Sequence, residues 1–216
     1  MSQKKNGTSQ LIDGAVGKLE VRIDVPDMAQ ITRPIAVICH PHPQHGGTMD
    51  NKVVYCLARE LAALNLAVAR FNFRGVGASE GQYGEGNGEA DDLVAVIGAM
   101  GQQFPGRPLW LVGFSFGGYV AARVSAECAA QHLMLVAPAV TRDYFDVEAS
   151  VECPGLLIHG SEDQLIEPCA VKAWTTRQLG PISYEQVQGA DHFFHGKLNE
   201  LRQLVKKYAE NWLLDG

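Results

Sequence analysis

The stretch Gly113-Phe114-Ser115-Phe116-Gly117 decides how the chain is read, because it sets one hydroxyl between two glycines at the end of an apolar run. Upstream, Leu109-Trp110-Leu111-Val112 follows Pro108 and is short and wholly apolar, the pattern of a buried strand. Downstream, Tyr119 to Val124 suits a helix. A serine at such a junction must turn sharply, and glycines two before and two after it remove the Cβ atoms that would collide. The turn exposes the hydroxyl at the top of a sheet and aims the first N–H groups of the helix at it, where a developing oxyanion is favoured. Ser115 is therefore the candidate nucleophile, set against the plain alternative of a glycine-rich connection with a bystander serine.

Outward from this point the apolar signature repeats in Ile35 to Cys39, Leu66 to Phe71, Leu133 to Ala137 and Leu156 to Ile158. Continuous apolar runs of this length are what a parallel sheet covered on both faces requires. Leu19 to Val25 instead alternates strictly, which places its odd-numbered residues on one face and predicts an outer antiparallel strand. Val53, Val54, Leu57, Leu61 and Leu64 recur at helical spacing, as do Leu93, Val94, Ile97 and Met100. Further helices are expected after Ser115 and Pro168, and a last one carries Leu198, Leu201, Leu204, Val205, Tyr208 and Trp212 on one stripe. Strands alternating with helices predict an α/β fold of βαβ units with right-handed crossovers. No repeat or linker divides residues 1–216, so one domain is expected, with residues 1–10 as a flexible tail.

Composition narrows the classes of function. Apolar content of 46% with 19% charged residues is that of an ordinary soluble protein, and no apolar run reaches the roughly 18 residues that a membrane span needs. The net charge of −6, with no cluster of Lys and Arg, gives nucleic acid nothing to bind. Met1 to Gln10 is polar and no apolar segment follows, so no secretory signal is expected. Cys39, Cys56, Cys128, Cys153 and Cys169 are odd in number and scattered, which predicts reduced thiols and a cytoplasmic location.

A nucleophilic serine needs a base, and the base an orienting acid. Asp163 follows the strand that stops at Gly160, and His192 leaves the strand Ser183 to Val187 by way of Gly189-Ala190-Asp191. Both therefore fall at the same sheet edge as Ser115. His195 is the second candidate base. Asp143 and Asp146 are alternative acids, whereas Asp191 adjoins the histidine and is expected to face away.

Two loops bear on substrate. Arg74 to Gly88 holds six glycines and leaves the strand ending at Phe71, so it is either a flexible surface loop or a wall of the site. Pro138 to Pro154 is too short for a multi-helix lid, although Tyr144 and Phe145 are candidates to wall one side of a pocket. Arg74 and Glu80 themselves are expected to be solvated or paired.

The pattern as a whole resembles the α/β-hydrolase family over nearly the full chain. The likeness is strongest in Cys39-His40-Pro41-His42-Pro43 running into Gly46 to Lys52, in Asn72-Phe73-Arg74-Gly75-Val76-Gly77, in Gly113 to Gly118, and in Asp191-His192-Phe193-Phe194. The order Ser115, Asp163, His192 is also that family's order. Together these stretches look like the small, lidless bacterial hydrolases of the dienelactone-hydrolase-like branch, except that serine stands where dienelactone hydrolase has cysteine. The resemblance implies an oxyanion hole from two backbone N–H groups, that of Phe116 and that of a residue in the His40 to Gly47 loop. Pro41 and Pro43 have no N–H to give, and position after the strand favours His42 over Gln44.

His40, His42 and His45 also raise a metal site. No carboxylate or thiol cluster completes a zinc ligand set, so loop-shaping hydrogen bonds are the better reading. The expected activity is hydrolysis of small or short-chain esters through an acyl-enzyme, with no cofactor. The alternatives are a thioesterase or peptidase with the same three residues, and a non-catalytic binder on the hydrolase fold.

Overall fold

The computed structural model describes residues 9–25, 33–140 and 150–215. Its strands are β1 (Ser9–Asp13), β2 (Lys18–Asp24), β3 (Ile35–Cys39), β4 (Ala67–Phe71), β5 (Leu109–Phe114), β6 (His132–Val136), β7 (Gly155–Gly160) and β8 (Ile182–Val187). They form one sheet in the order β1-β2-β4-β3-β5-β6-β7-β8. The β1–β2 and β2–β4 pairs are antiparallel, and every other pair is parallel. The described helices are α1 (Lys52–Ala63), α2 (Asn87–Gln103), α3 (Phe116–Val124), α4 (Pro168–Thr175) and α5 (Leu198–Asp215).

The two-residue period of a strand sends alternate side chains to opposite faces, and here both faces are covered. Val37, Leu111, Leu135 and Leu157 pack with Leu93 and Val96 of α2, Val120 of α3 and Trp174 of α4. Ile38, Val112, Met134 and Ile158 pack on the other side with Leu57 and Leu61 of α1 and Leu201 and Val205 of α5. All are buried, which is why these strands carry no polar alternation. Burying one such side chain contributes about 1.5–3 kcal/mol, so the double-sided core supplies most of the drive to fold.

Two expectations change at the far edge. The alternating segment does form β2, with Leu19 and Val21 buried, but it is not outermost, because β1 pairs with it. Ser9 and Gln10 accordingly belong to a strand rather than to a tail. Apart from half-buried Ile12, β1 is exposed along its length. Its attachment is a backbone ladder, which leaves no apolar pattern to read.

Parallel pairing brings the C-terminal ends of β3, β4, β5, β7 and β8 to one edge of the sheet, the edge at which open α/β sheets bind ligands. The Arg74 to Gly88 loop is tied down there. Arg74 makes a buried ion pair with Asp92 of α2 at 2.7 Å, and Glu89 accepts the N–H groups of Gly84 and Gly86. Glu80 accepts the Lys18 N–H at 2.7 Å, so Arg74 and Glu80 are both paired.

Candidate active site

Ser115 sits between β5 and α3 with φ 55° and ψ −119°, a conformation that costs a non-glycine residue about 1–3 kcal/mol. The surroundings hold it there. Its N–H donates to Val136 at 2.9 Å, and its carbonyl accepts from Gly118 at 2.9 Å and Ala139 at 3.0 Å. A Cβ at Gly113 would strike the Gly117 carbonyl, and one at Gly117 would strike the Cys39 carbonyl, so only glycine lets β3, β5 and α3 approach this closely.

Asp163 lies in the loop after β7 and is buried, as is His192 after β8. Asp163 Oδ1 accepts the N–H groups of Leu165 and Ile166, both at 2.9 Å, while Oδ2 accepts from His192 Nδ1 at 2.7 Å. An ionised carboxylate only accepts, so the His192 hydrogen sits on Nδ1 and leaves Nε2 as an acceptor. That Nε2 is 3.0 Å from Ser115 Oγ. Burial alone would push the Asp163 carboxyl up, but the His192 ring and the Ile166 and Leu165 N–H groups outweigh it and hold the carboxyl below its ordinary range. Asp163 is therefore anionic at neutral pH.

The second candidate base is engaged elsewhere, since His195 Nδ1 pairs with Asp191 Oδ2 at 2.5 Å on the exposed side. Asp143, Tyr144, Phe145 and Asp146 lie outside the described residues.

A pocket of about 600 Å³ opens over Ser115 and His192. Phe116, His42 and Gln44, the residues weighed as oxyanion donors, all line it. The loop that carries His42 is fixed by its neighbouring histidines. His40 is fully buried; its Nδ1 donates to the Pro41 carbonyl at 2.6 Å and its Nε2 accepts the Phe73 N–H at 3.0 Å. Burial pushes this imidazole down to about 4. His42 accepts the Gln44 N–H at Nδ1, and its ring stacks on His45 with centroids 4.3 Å apart. Each of the three imidazoles thus shapes the loop or the pocket wall.

Several lining residues escaped the sequence reading. Tyr83, 3.2 Å from His42 Nε2 through its hydroxyl, comes from the Arg74 to Gly88 loop, which is thereby a wall of the pocket. It is the one aromatic in that loop, a signal available beforehand. Leu165, Ile166 and Phe193 also line the pocket, each within three residues of Asp163 or His192.

Comparison with known proteins bears on the family. The Hydrolase_4 family model, described as serine aminopeptidase, S33, matches residues 31–145. The chain belongs to the α/β serine hydrolases. This α/β hydrolase is similar to an α/β serine hydrolase homologue from Coxiella burnetii, at 41% identity and a TM-score of 0.87, covering 96% of this chain and 99% of that one. It is likewise similar to an α/β serine hydrolase without a lid from Xanthomonas campestris, at 39% identity and a TM-score of 0.86, covering 96% and 95%. An uncharacterized protein of Rickettsia prowazekii (strain Madrid E) is 35% identical over 185 residues, 81% of this chain and 78% of that protein. Among the described residues no helix of the hydrolase is long and apolar enough to cross a membrane.

Proposed function

We propose that this hydrolase is a carboxylesterase that cleaves small or short-chain esters through Ser115, His192 and Asp163. The observation that carries the reading is the unbroken hydrogen-bonded path from Asp163 Oδ2 through His192, 2.7 Å on one side and 3.0 Å on the other, to a hydroxyl in a pocket. His192 Nε2 takes the Ser115 proton as Oγ attacks the ester carbonyl, and Asp163 steadies the imidazolium that forms. Backbone N–H groups of Phe116 and His42 hold the oxyanion. The alcohol leaves with the proton from His192, and water repeats the sequence on the acyl-enzyme, so no cofactor enters.

Exposed Leu165 and Phe193 at the pocket wall suit an apolar acyl or alcohol group. The five free thiols fit a cytoplasmic setting.

The test is kcat/KM on an activated acetyl ester, the matched thioester and an aminoacyl amide. Preference for the ester supports the proposal, and preference for either of the others makes the protein a thioesterase or a peptidase. No turnover of any of the three, with ligand binding seen by calorimetry, makes it a binder.

A further inference from the structure

His159 closes in on the candidate site from behind. It lies near the end of β7 and is fully buried. Its Nε2 is 3.0 Å from the Ile166 carbonyl oxygen and 3.3 Å from Asp163 Oδ2, the same oxygen that accepts from His192. A carbonyl oxygen only accepts, so Nε2 carries a hydrogen and donates it to Ile166, and Asp163 Oδ2 lies beside the same N–H. Nδ1 is buried with no hydrogen-bond partner. A second proton there would be a buried N–H with no acceptor, so the ring stays neutral in a single tautomer. Burial indeed pushes this imidazole below its ordinary value, against the opposing pull of Asp163 and Glu167 and with a further push from His192.

Asp163 therefore has three hydrogen-bond donors, two backbone N–H groups on Oδ1 and His192 on Oδ2, with the His159 N–H beside Oδ2 at 3.3 Å. Without His159, the Ile166 carbonyl would lose its donor, and the loop that presents the carboxylate would be freer to shift. The carboxylate would also become a stronger acceptor, because the positive end of a neighbouring N–H dipole would be gone.

We infer that His159 is a positioning residue for acyl transfer: its Nε2–H, bonded to the Ile166 carbonyl, holds the Asp163 loop in register with His192, and its dipole beside Oδ2 moderates how strongly the carboxylate pulls on the imidazole. The inference rests on the reading of Ser115, His192 and Asp163 as the catalytic set. It gives the buried histidine a role beyond filling space under the loop.

Three variants separate that role from packing. His159→Leu keeps most of the volume and removes the donor. His159→Gln restores an N–H close to the position of Nε2, whereas His159→Asn carries the same amide on a stem too short to reach the Ile166 carbonyl. On an activated acetyl ester, His159→Leu should lower kcat roughly 10-fold with KM changed less than about 2-fold, the worth of one buried hydrogen bond. The acidic limb of its kcat/KM profile should move up by roughly half a pH unit, because a stronger acceptor holds the imidazolium longer. His159→Gln should recover most of both losses and His159→Asn neither.

If His159→Leu folds and keeps the parent kcat and pH profile, the inference is overturned. Should His159→Leu fail to fold, the two amides decide, and equal behaviour of His159→Gln and His159→Asn overturns it at whatever level they agree. Ser115→Ala is measured alongside. An active Ser115→Ala removes the catalytic set and the inference with it, whereas an inactive one beside unaffected His159 variants removes the inference alone.

Discussion

Phe73 donates its backbone N–H to His40 Nε2 at 3.0 Å, which ties the chain leaving β4 to the loop that carries His42. The arrangement needs a neutral ring, because a protonated Nε2 would set one N–H against another. Burial lowers this imidazole from 6.5 to about 4, so between those values the unfolded chain binds a proton that the native protein refuses. The stability this contributes is fully present above pH 6.5 and is lost as pH falls toward about 4. The total is on the order of 3 kcal/mol. Urea titrations of the parent and of His40→Gln across that range should show a flatter dependence on pH in the variant, and equal slopes would contradict the assignment.

Asp163→Asn keeps the shape of the acid but offers an amide to His192. The ring can then settle with its hydrogen on Nε2, the wrong nitrogen for accepting from Ser115. A fall in kcat of about 10⁴ with little change in KM is expected. A fall in affinity alone would mean that Asp163 binds substrate instead.

His195 and Asp191 form an exposed pair of their own. His195→Ala should leave kcat/KM within about 2-fold of the parent, since exposed ion pairs are weak and this one faces away from Ser115. His192→Ala should lower it about 10³-fold or more. The reverse ranking would move the base to His195.

Gly117→Ala drives a Cβ into the Cys39 carbonyl and so pushes β3 from α3. Overpacking of this kind costs about 1–3 kcal/mol, which urea unfolding would report. Because Cys39 leads directly into the His40 to Gly47 loop at the pocket, kcat should fall as well. Parental stability would show that the elbow has slack.

The elbow itself was readable from five residues, because its physics is local: a buried strand, a helix, and glycines where side chains do not fit. Asp163 and His192 were readable because strand ends in a parallel sheet share an edge, so position in the chain translates into position in space. The places of Tyr83 beside His42 and of His159 beside Asp163 were not. Tyr83 reaches His42 only through the path of a glycine-rich loop, and His159 ends an apolar strand like any core residue until Asp163 folds back over it. β1 was hidden for another reason, since backbone hydrogen bonds to β2 leave no mark on side-chain pattern.

The most direct test of the account is labelling by a fluorophosphonate, read by peptide mass spectrometry and set beside hydrolysis by Ser115→Ala. The account predicts a single adduct on Ser115, no adduct on the variant, and a kcat on an activated short ester lowered by about 10³ or more. An adduct on another residue, or a Ser115→Ala protein that hydrolyses the ester at the parent rate, would contradict it.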